Sequence, residues 1–407
     1  MTIDDKNFSP SWVGLTLLLM LSMGMPMTVF FSISILGPGW MADLGISAEQ
    51  LGLLTSSTFG LAALLSPWAG RGVQHFGSRM GLVCLFVSVG LSLLLVSLLP
   101  GYEGLVVGLM FCGVAQALCN PATNLLIAQQ VPMPRRALTI AFKHSGVQIS
   151  ALLLGTMLPW LVAQLGWRTA LGIWVPLAWG LALLVWFWLP RRTLAAEQGG
   201  ERHLARRQWL FTLMSVQFCA GVVLSSFVTF LGVRATGLGV SVQTVGQMVA
   251  AFGMTGIVSR LLLTPLSARL SEESRLLCCL FTVAGLGIAS MQQASADTLW
   301  LLWLGVVGIA GTLPASQTIA MNMLLRDRRF GAPARSAGLL AMGFFSGCAL
   351  GPPVIGALVE RFSGFSVPSM ALIGVLLLGC LLSLCLMSLR RRPLDIALGN
   401  PGTHSTS

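Results

Sequence analysis

Apolar stretches recur along the chain, each separated from the next by a short turn that carries arginine, glycine or proline. They lie at roughly 11–36, 48–69, 80–99, 104–130, 137–164, 168–189, 209–232, 242–267, 275–294, 298–324, 335–361 and 366–389. A helix crosses the hydrocarbon core of a bilayer in about 20 apolar residues. The pattern therefore predicts twelve transmembrane helices. Membrane strands would show about ten residues of alternating polarity per crossing, and the chain has no such alternation. The polar start MTIDDKNFSP runs into the first apolar stretch without a small-residue cleavage pattern, so this segment is expected to be retained as a span.

Composition agrees. Apolar residues make up 55% of the chain and charged residues 9%, with a mean hydropathy of +0.84; a soluble domain carries about a quarter charged residues. The longest polar break, RRTLAAEQGGERHLARRQ at 191–208, falls at mid-chain. It divides the protein into an N-terminal six-helix bundle (1–190), a linker (191–208), and a C-terminal six-helix bundle with a short tail (209–407). With the N-terminus inside, most of the 24 lysines and arginines fall in cytoplasmic turns, as short cytoplasmic loops require. Both termini and the linker are then cytoplasmic, in a multi-pass protein of the inner or plasma membrane. The net charge of +11 is thereby a matter of topology, and the expected partner is the lipid bilayer, not nucleic acid. The nine cysteines all lie within spans and form no CxxC pair, so neither a disulfide frame nor a metal site is expected. No cofactor is expected, and a monomer is.

The two halves echo each other. SGVQISALLLG (145–155) in the fifth span pairs with SGCALGPPVIG (346–356) in the eleventh, with Ser-Gly and the later Gly at one offset. CNPATN (119–124) pairs with LPASQ (313–317), and QHFGSR after the second span with ARLSEE after the eighth. Transporters are commonly built from such repeats, with the substrate site between them.

On these features the chain resembles the major facilitator superfamily. The resemblance rests on six plus six spans, the basic linker and the turn GRGVQHFGSR, which is similar to the family signature G-x-x-x-D-R-x-G-x-R. Gly70, Gly77 and Arg79 match it; Gln74 stands where the family has Asp, and His75 where it has Arg. The resemblance implies two pseudo-symmetric bundles that rock about a central site. It also implies that the position of Gln74 faces a helix N-terminus of the other half, where a neutral amide lacks the charge–dipole attraction of a carboxylate.

Function is expected to reside in polar groups inside the membrane. Lys143 lies about 9 Å and Arg260 about 12 Å from the cytoplasmic ends of the fifth and eighth spans, at 1.5 Å per residue. A charge in mid-helix costs about 2.5–3.5 kcal/mol on insertion scales and usually faces a cavity or partner. The alternative is that both long side chains snorkel to the headgroups. All 13 acidic residues fall at termini or in loops, so neither cation has a counter-ion at its depth. In the family the fifth and eighth helices line the cavity, and the resemblance implies that the two cations meet there across the pseudo-twofold. An anionic solute would relieve their repulsion.

VSRLLLTPLSAR, which contains Arg260, resembles the eighth-helix pattern of small-carboxylate carriers. A guanidinium binds a carboxylate bidentately and a lysine acts as a point charge, so Arg260 is the expected primary anchor and Lys143 the second. Gln116, Asn120 and Asn124 form an i, i+4, i+8 stripe, and His144 and Gln148 an i, i+4 pair; Gln317 and Asn322 are further candidates. Each could equally serve as glue between helices. His144 is the histidine within a span and the candidate proton carrier; otherwise a counter-anion, or no coupling ion, is expected.

Drug efflux is the nearest rival. The Gly-Pro element that marks many antiporters is absent from the fifth span, although GPPVIG occurs in the eleventh, and Phe227, Phe230, Phe344 and Phe345 could form an aromatic cavity. An enzyme is not expected, since no H-E-x-x-H or G-x-S-G motif occurs. The sequence thus points to a secondary transporter, symporter or exchanger, of a small organic anion, with import the expected direction.

Overall fold

A computed structural model describes residues 11–190, 207–270, 272–330 and 333–391. The described chain forms α1 (Trp12–Leu44), α2 (Ala48–Leu98), α3 (Gly101–Gln130), α4 (Met133–Gly172) and α5 (Trp174–Trp188) in the first half. The second half holds α6 (Arg207–Thr236), α7 (Val242–Arg269), α8 (Glu273–Gln292), α9 (Trp300–Ala310), α10 (Leu313–Arg326), α11 (Pro333–Arg361) and α12 (Ser366–Arg391). Most of the linker and the tail beyond Arg391 lie outside the described residues; Arg207 and Gln208, assigned to the linker from sequence, open α6.

Helices and predicted spans differ in number for local reasons. α2 is 51 residues long and contains the second and third spans, joined at Gly77, whose φ of 87° is open to glycine at little cost. α4 passes Gly166 (φ 73°) in the same way and, with α5, holds the fifth and sixth spans. The tenth span is instead broken at Gly311 and Thr312 into α9 and α10. With these corrections the twelve crossings follow the sequence pattern.

The duplicated Ser-Gly positions have duplicated roles. A Cβ on Gly146 would overlap the Met20 carbonyl of α1, and one on Gly347 would overlap the Phe218 carbonyl of α6. In each half, therefore, the helix that carries this glycine lies backbone-to-backbone on the first helix of its bundle. The later glycines also correspond: Gly155 packs on Gly246 of α7, and Gly356 on Ala48 of α2. These last two contacts cross between the halves. Small residues permit such close approach, which is how helices associate where lipid supplies no hydrophobic drive.

The seam between the halves is tight at the end where α1 meets α2. Thr55 and Thr229 hydroxyls lie 2.8 Å apart, the Ser56 hydroxyl donates to the Ala349 carbonyl, and Gly52 lies on Pro352. The start of α2 carries a capping box, in which Ser47 accepts from the Gln50 N–H and Gln50 accepts from the Ser47 N–H. Glu360, at the end of α11 in the other half, adds a carboxylate to this helix start by accepting from the Glu49 N–H at 2.7 Å. A carboxylate at a helix N-terminus contributes about 0.3–1 kcal/mol, a population factor of up to about five. Glu360→Gln should therefore loosen this end by up to about fivefold. Maleimide labelling of Thr229→Cys, which is sealed in the seam, should rise accordingly; unchanged labelling would show that the contact carries no closing energy.

Candidate functional site

Between the halves lies a cavity lined from α1, α2, α3, α4, α6, α7, α10 and α11. Its lining is of two kinds. Phe30, Phe31, Phe59, Phe252, Phe344 and Phe345 form an aromatic wall. Two ring contacts cross the seam there, Phe59 with Phe345 and Phe31 with Phe252, each with centroids 5.9 Å apart. The polar part of the lining is Arg260, His144, Gln148, Gln116, Asn120 and Gln317. Phe252 and Arg260 are eight residues apart on α7, about 12 Å along its axis.

Arg260 is 7% exposed. Its Nε donates to the Pro314 carbonyl at 3.3 Å and its Nη1 to the His144 carbonyl, across the halves, at 2.6 Å. The break between α9 and α10 presents the first of these acceptors, and α4 the second. Pro314 sits in the first turn of α10, and Ser259, next to Arg260, donates to the Gly311 carbonyl at the end of α9. Irregular backbone at membrane depth is tolerated where it lines a cavity. No carboxylate pairs with Arg260 among the described residues; Glu273 and Asp327 are engaged by Arg326, Arg329 and Arg390 on the cytoplasmic face expected from sequence.

Lys143 departs from expectation. It is fully buried, and it is not among the residues lining the cavity. Its ammonium turns to α3 of its own half, donating to Asn124 Oδ1 at 2.6 Å, Thr123 Oγ1 at 3.0 Å and Asn120 Oδ1 at 3.4 Å. The two cations therefore do not face each other. Neighbours on a helix point about 100° apart, and here His144 takes the cavity side while Lys143 turns to α3. Asn124 likewise serves Lys143 and does not line the cavity, whereas Asn120 does both.

Gln148 lines the cavity with its Oε1 buried and without a hydrogen-bond partner among the described residues. Gly256 of α7 makes room for it, since a Cβ there would lie 2.7 Å from Gln148 Cγ. Gln116 donates to Met27 Sδ at 3.7 Å, and Gln317 lines the cavity from α10, whereas Asn322 does not. Of the signature turn, Gln74 and His75 are exposed, and Arg79 stacks on Trp186 with its guanidinium carbon 4.5 Å from the ring centroid. Gln74 makes no hydrogen bond to the other half among the described residues, as fits a molecule whose closed seam is at the opposite end.

Phe344 and Phe345 line the cavity as the sequence suggested, but Phe227 and Phe230 border a separate pocket beside Arg234 and Phe365. Phe30, Phe31, Phe59 and Phe252 carried no signal, because phenylalanines are ordinary in apolar spans. Thr123 could have been found: with Asn120 and Asn124 it forms an i, i+3, i+4 face.

Comparison with known proteins places this geometry. The chain is 30% identical over 185 residues to a gallate transporter of Pseudomonas putida, which covers 43% of this chain and 40% of that one. It is 24% identical over 383 residues to a probable sulfoacetate transporter of Cupriavidus necator, covering 84% and 87%. Its fold matches a bacterial homologue of the human lysosomal transporter Spinster, solved in an inward-facing and occupied conformation, with a TM-score of 0.72 at 17% identity over 94% of this chain and 98% of that one. Residues 15–332 match the Major Facilitator Superfamily. Two six-helix halves around a central cavity, and a match that spans most of the sequence, make this chain a member of that superfamily of membrane transporters.

Proposed function

We propose that the protein carries a small organic anion, an aromatic monocarboxylate, by alternating access, with Arg260 as its anchor. The observation that supports this best is a buried guanidinium, without a carboxylate partner among the described residues, on the wall of a cavity that is also lined by phenylalanine. One arginine on the cavity wall among the described residues suits one negative charge, and the rings suit a flat apolar body. The orphan Gln148 Oε1 suits a ring hydroxyl, because an unpaired buried acceptor costs about 1–3 kcal/mol until a donor reaches it. The relatives named for gallate and sulfoacetate are carriers of organic anions. With both termini cytoplasmic, the sealed α1–α2 end is external and the cavity belongs to an inward-open state.

A second reading, efflux of a lipophilic drug, draws on the same aromatic wall, but a cationic drug would meet the charge of Arg260. Thermal shift of the purified protein separates the two, since a ligand that binds the folded state stabilises it by mass action. Benzoate and 4-hydroxybenzoate should raise the melting temperature, the hydroxylated acid more. Stabilisation by tetraphenylphosphonium and not by the acids would replace anion transport with efflux.

A further inference from the structure

Lys143 is left over from that reading: a buried charge that does not line the site. A charge inside the membrane is costly, and a neutral glutamine could join α4 to α3 for less. The ammonium differs from an amide in one respect that matters here, because it has three donors and no acceptor. Every group facing it must accept. Asn120, Thr123 and Asn124, on one face of α3, do so with their side-chain oxygens.

Asn120 is the member of this trio that also lines the cavity. With its Oδ1 held by Lys143, its remaining polar group is the NH₂. We propose that Lys143 is a positioning residue: it fixes the Asn120 amide so that the cavity is offered a hydrogen-bond donor, and thereby selects an anion over a neutral solute of the same shape. This rests on the anion reading above. A glutamine at 143 could donate or accept, and the Asn120 amide would then be free to turn its oxygen to the solute. The site would keep Arg260 but lose its second aligned donor.

The test is a double-mutant cycle read with two probes, benzoate and its neutral isostere benzamide, by calorimetry on the purified full-length protein. A hydrogen bond to a charged group contributes about 1.5–3 kcal/mol, roughly 10- to 150-fold in affinity. Lys143→Gln should weaken benzoate by about tenfold or more and leave benzamide within about twofold. Asn120→Ala should do the same, and Lys143→Gln added to it should cost less than about twofold further. Lys143→Arg, which also only donates, should restore most of the preference for benzoate, and it serves as the readout should Lys143→Gln fail to fold. An equal loss for both probes in Lys143→Gln, or an undiminished loss in the Asn120→Ala background, would overturn the proposal, the latter by showing that the lysine acts on the anion directly. Wild-type protein that binds no carboxylate would instead overturn the anion reading, and this proposal with it.

Discussion

Arg260→Ala should abolish measurable binding of benzoate while the protein remains folded. Arg260 is the cation on the cavity wall, and its two protein partners, the Pro314 and His144 carbonyls, are neutral. A bound carboxylate would depend on it for both charge and hydrogen bonds. Truncating one partner of a buried, hydrogen-bonded charge pair costs about 2–5 kcal/mol, or about 30- to 5,000-fold in affinity. Arg260→Lys keeps the charge and loses the planar fork, so it should recover only part of this. The fold does not rest on this side chain, because the seam between the halves is held elsewhere by Thr55 with Thr229, Ser56 with Ala349 and Glu49 with Glu360. Calorimetry on the two variants, with thermal melting as the control for folding, checks it. Arg260→Ala protein that binds benzoate within about threefold of wild type would remove the arginine from the site.

Transport should stop, with binding retained, in Gly52→Leu. A Cβ at this position would stand 2.5 Å from the Pro352 carbonyl oxygen and 2.7 Å from the Pro353 Cα. Both are backbone atoms, which cannot move aside as a flexible side chain can. Overpacking a well-packed contact costs about 1–3 kcal/mol, and here the cost falls wholly on the state in which the α1–α2 end is closed. A shift of 3 kcal/mol is a population factor of about 150. The cavity should then stand open at that end, so that Thr229→Cys in the Gly52→Leu background is labelled rapidly and exchange across the membrane is lost. Benzoate affinity should change little, since Gly52 does not line the cavity. Slow labelling together with normal transport would mean that this contact is not a gate.

The twelve crossings were legible because the apolar pattern and the positions of glycine carry them. Gly77 and Gly166 could be read as turns, although the chain stays helical on both sides of each and fuses spans that the pattern separates. The Ser-Gly repeat was legible for a stronger reason, since a glycine that must admit a backbone, as Gly146 and Gly347 do, tolerates no substitute. Arg260 was legible by its cost in the membrane. Which way Lys143 turns was not, because depth along a helix says nothing of azimuth, and only its contacts with Asn120, Thr123 and Asn124 settle it. Phe30, Phe31, Phe59 and Phe252 of the cavity wall were hidden for a different reason: a ring facing lipid and a ring facing a solute are the same letter in an apolar run.

The most direct test of the central claim is uptake of radiolabelled benzoate into proteoliposomes that contain the wild-type protein, with Arg260→Ala as the reference. Saturable uptake, competed by 4-hydroxybenzoate and not by tetraphenylphosphonium, and absent from Arg260→Ala, is the expected result. Uptake that is equal in the two proteins, or that is competed by the lipophilic cation and not by the acid, would contradict an arginine-anchored carrier of organic anions.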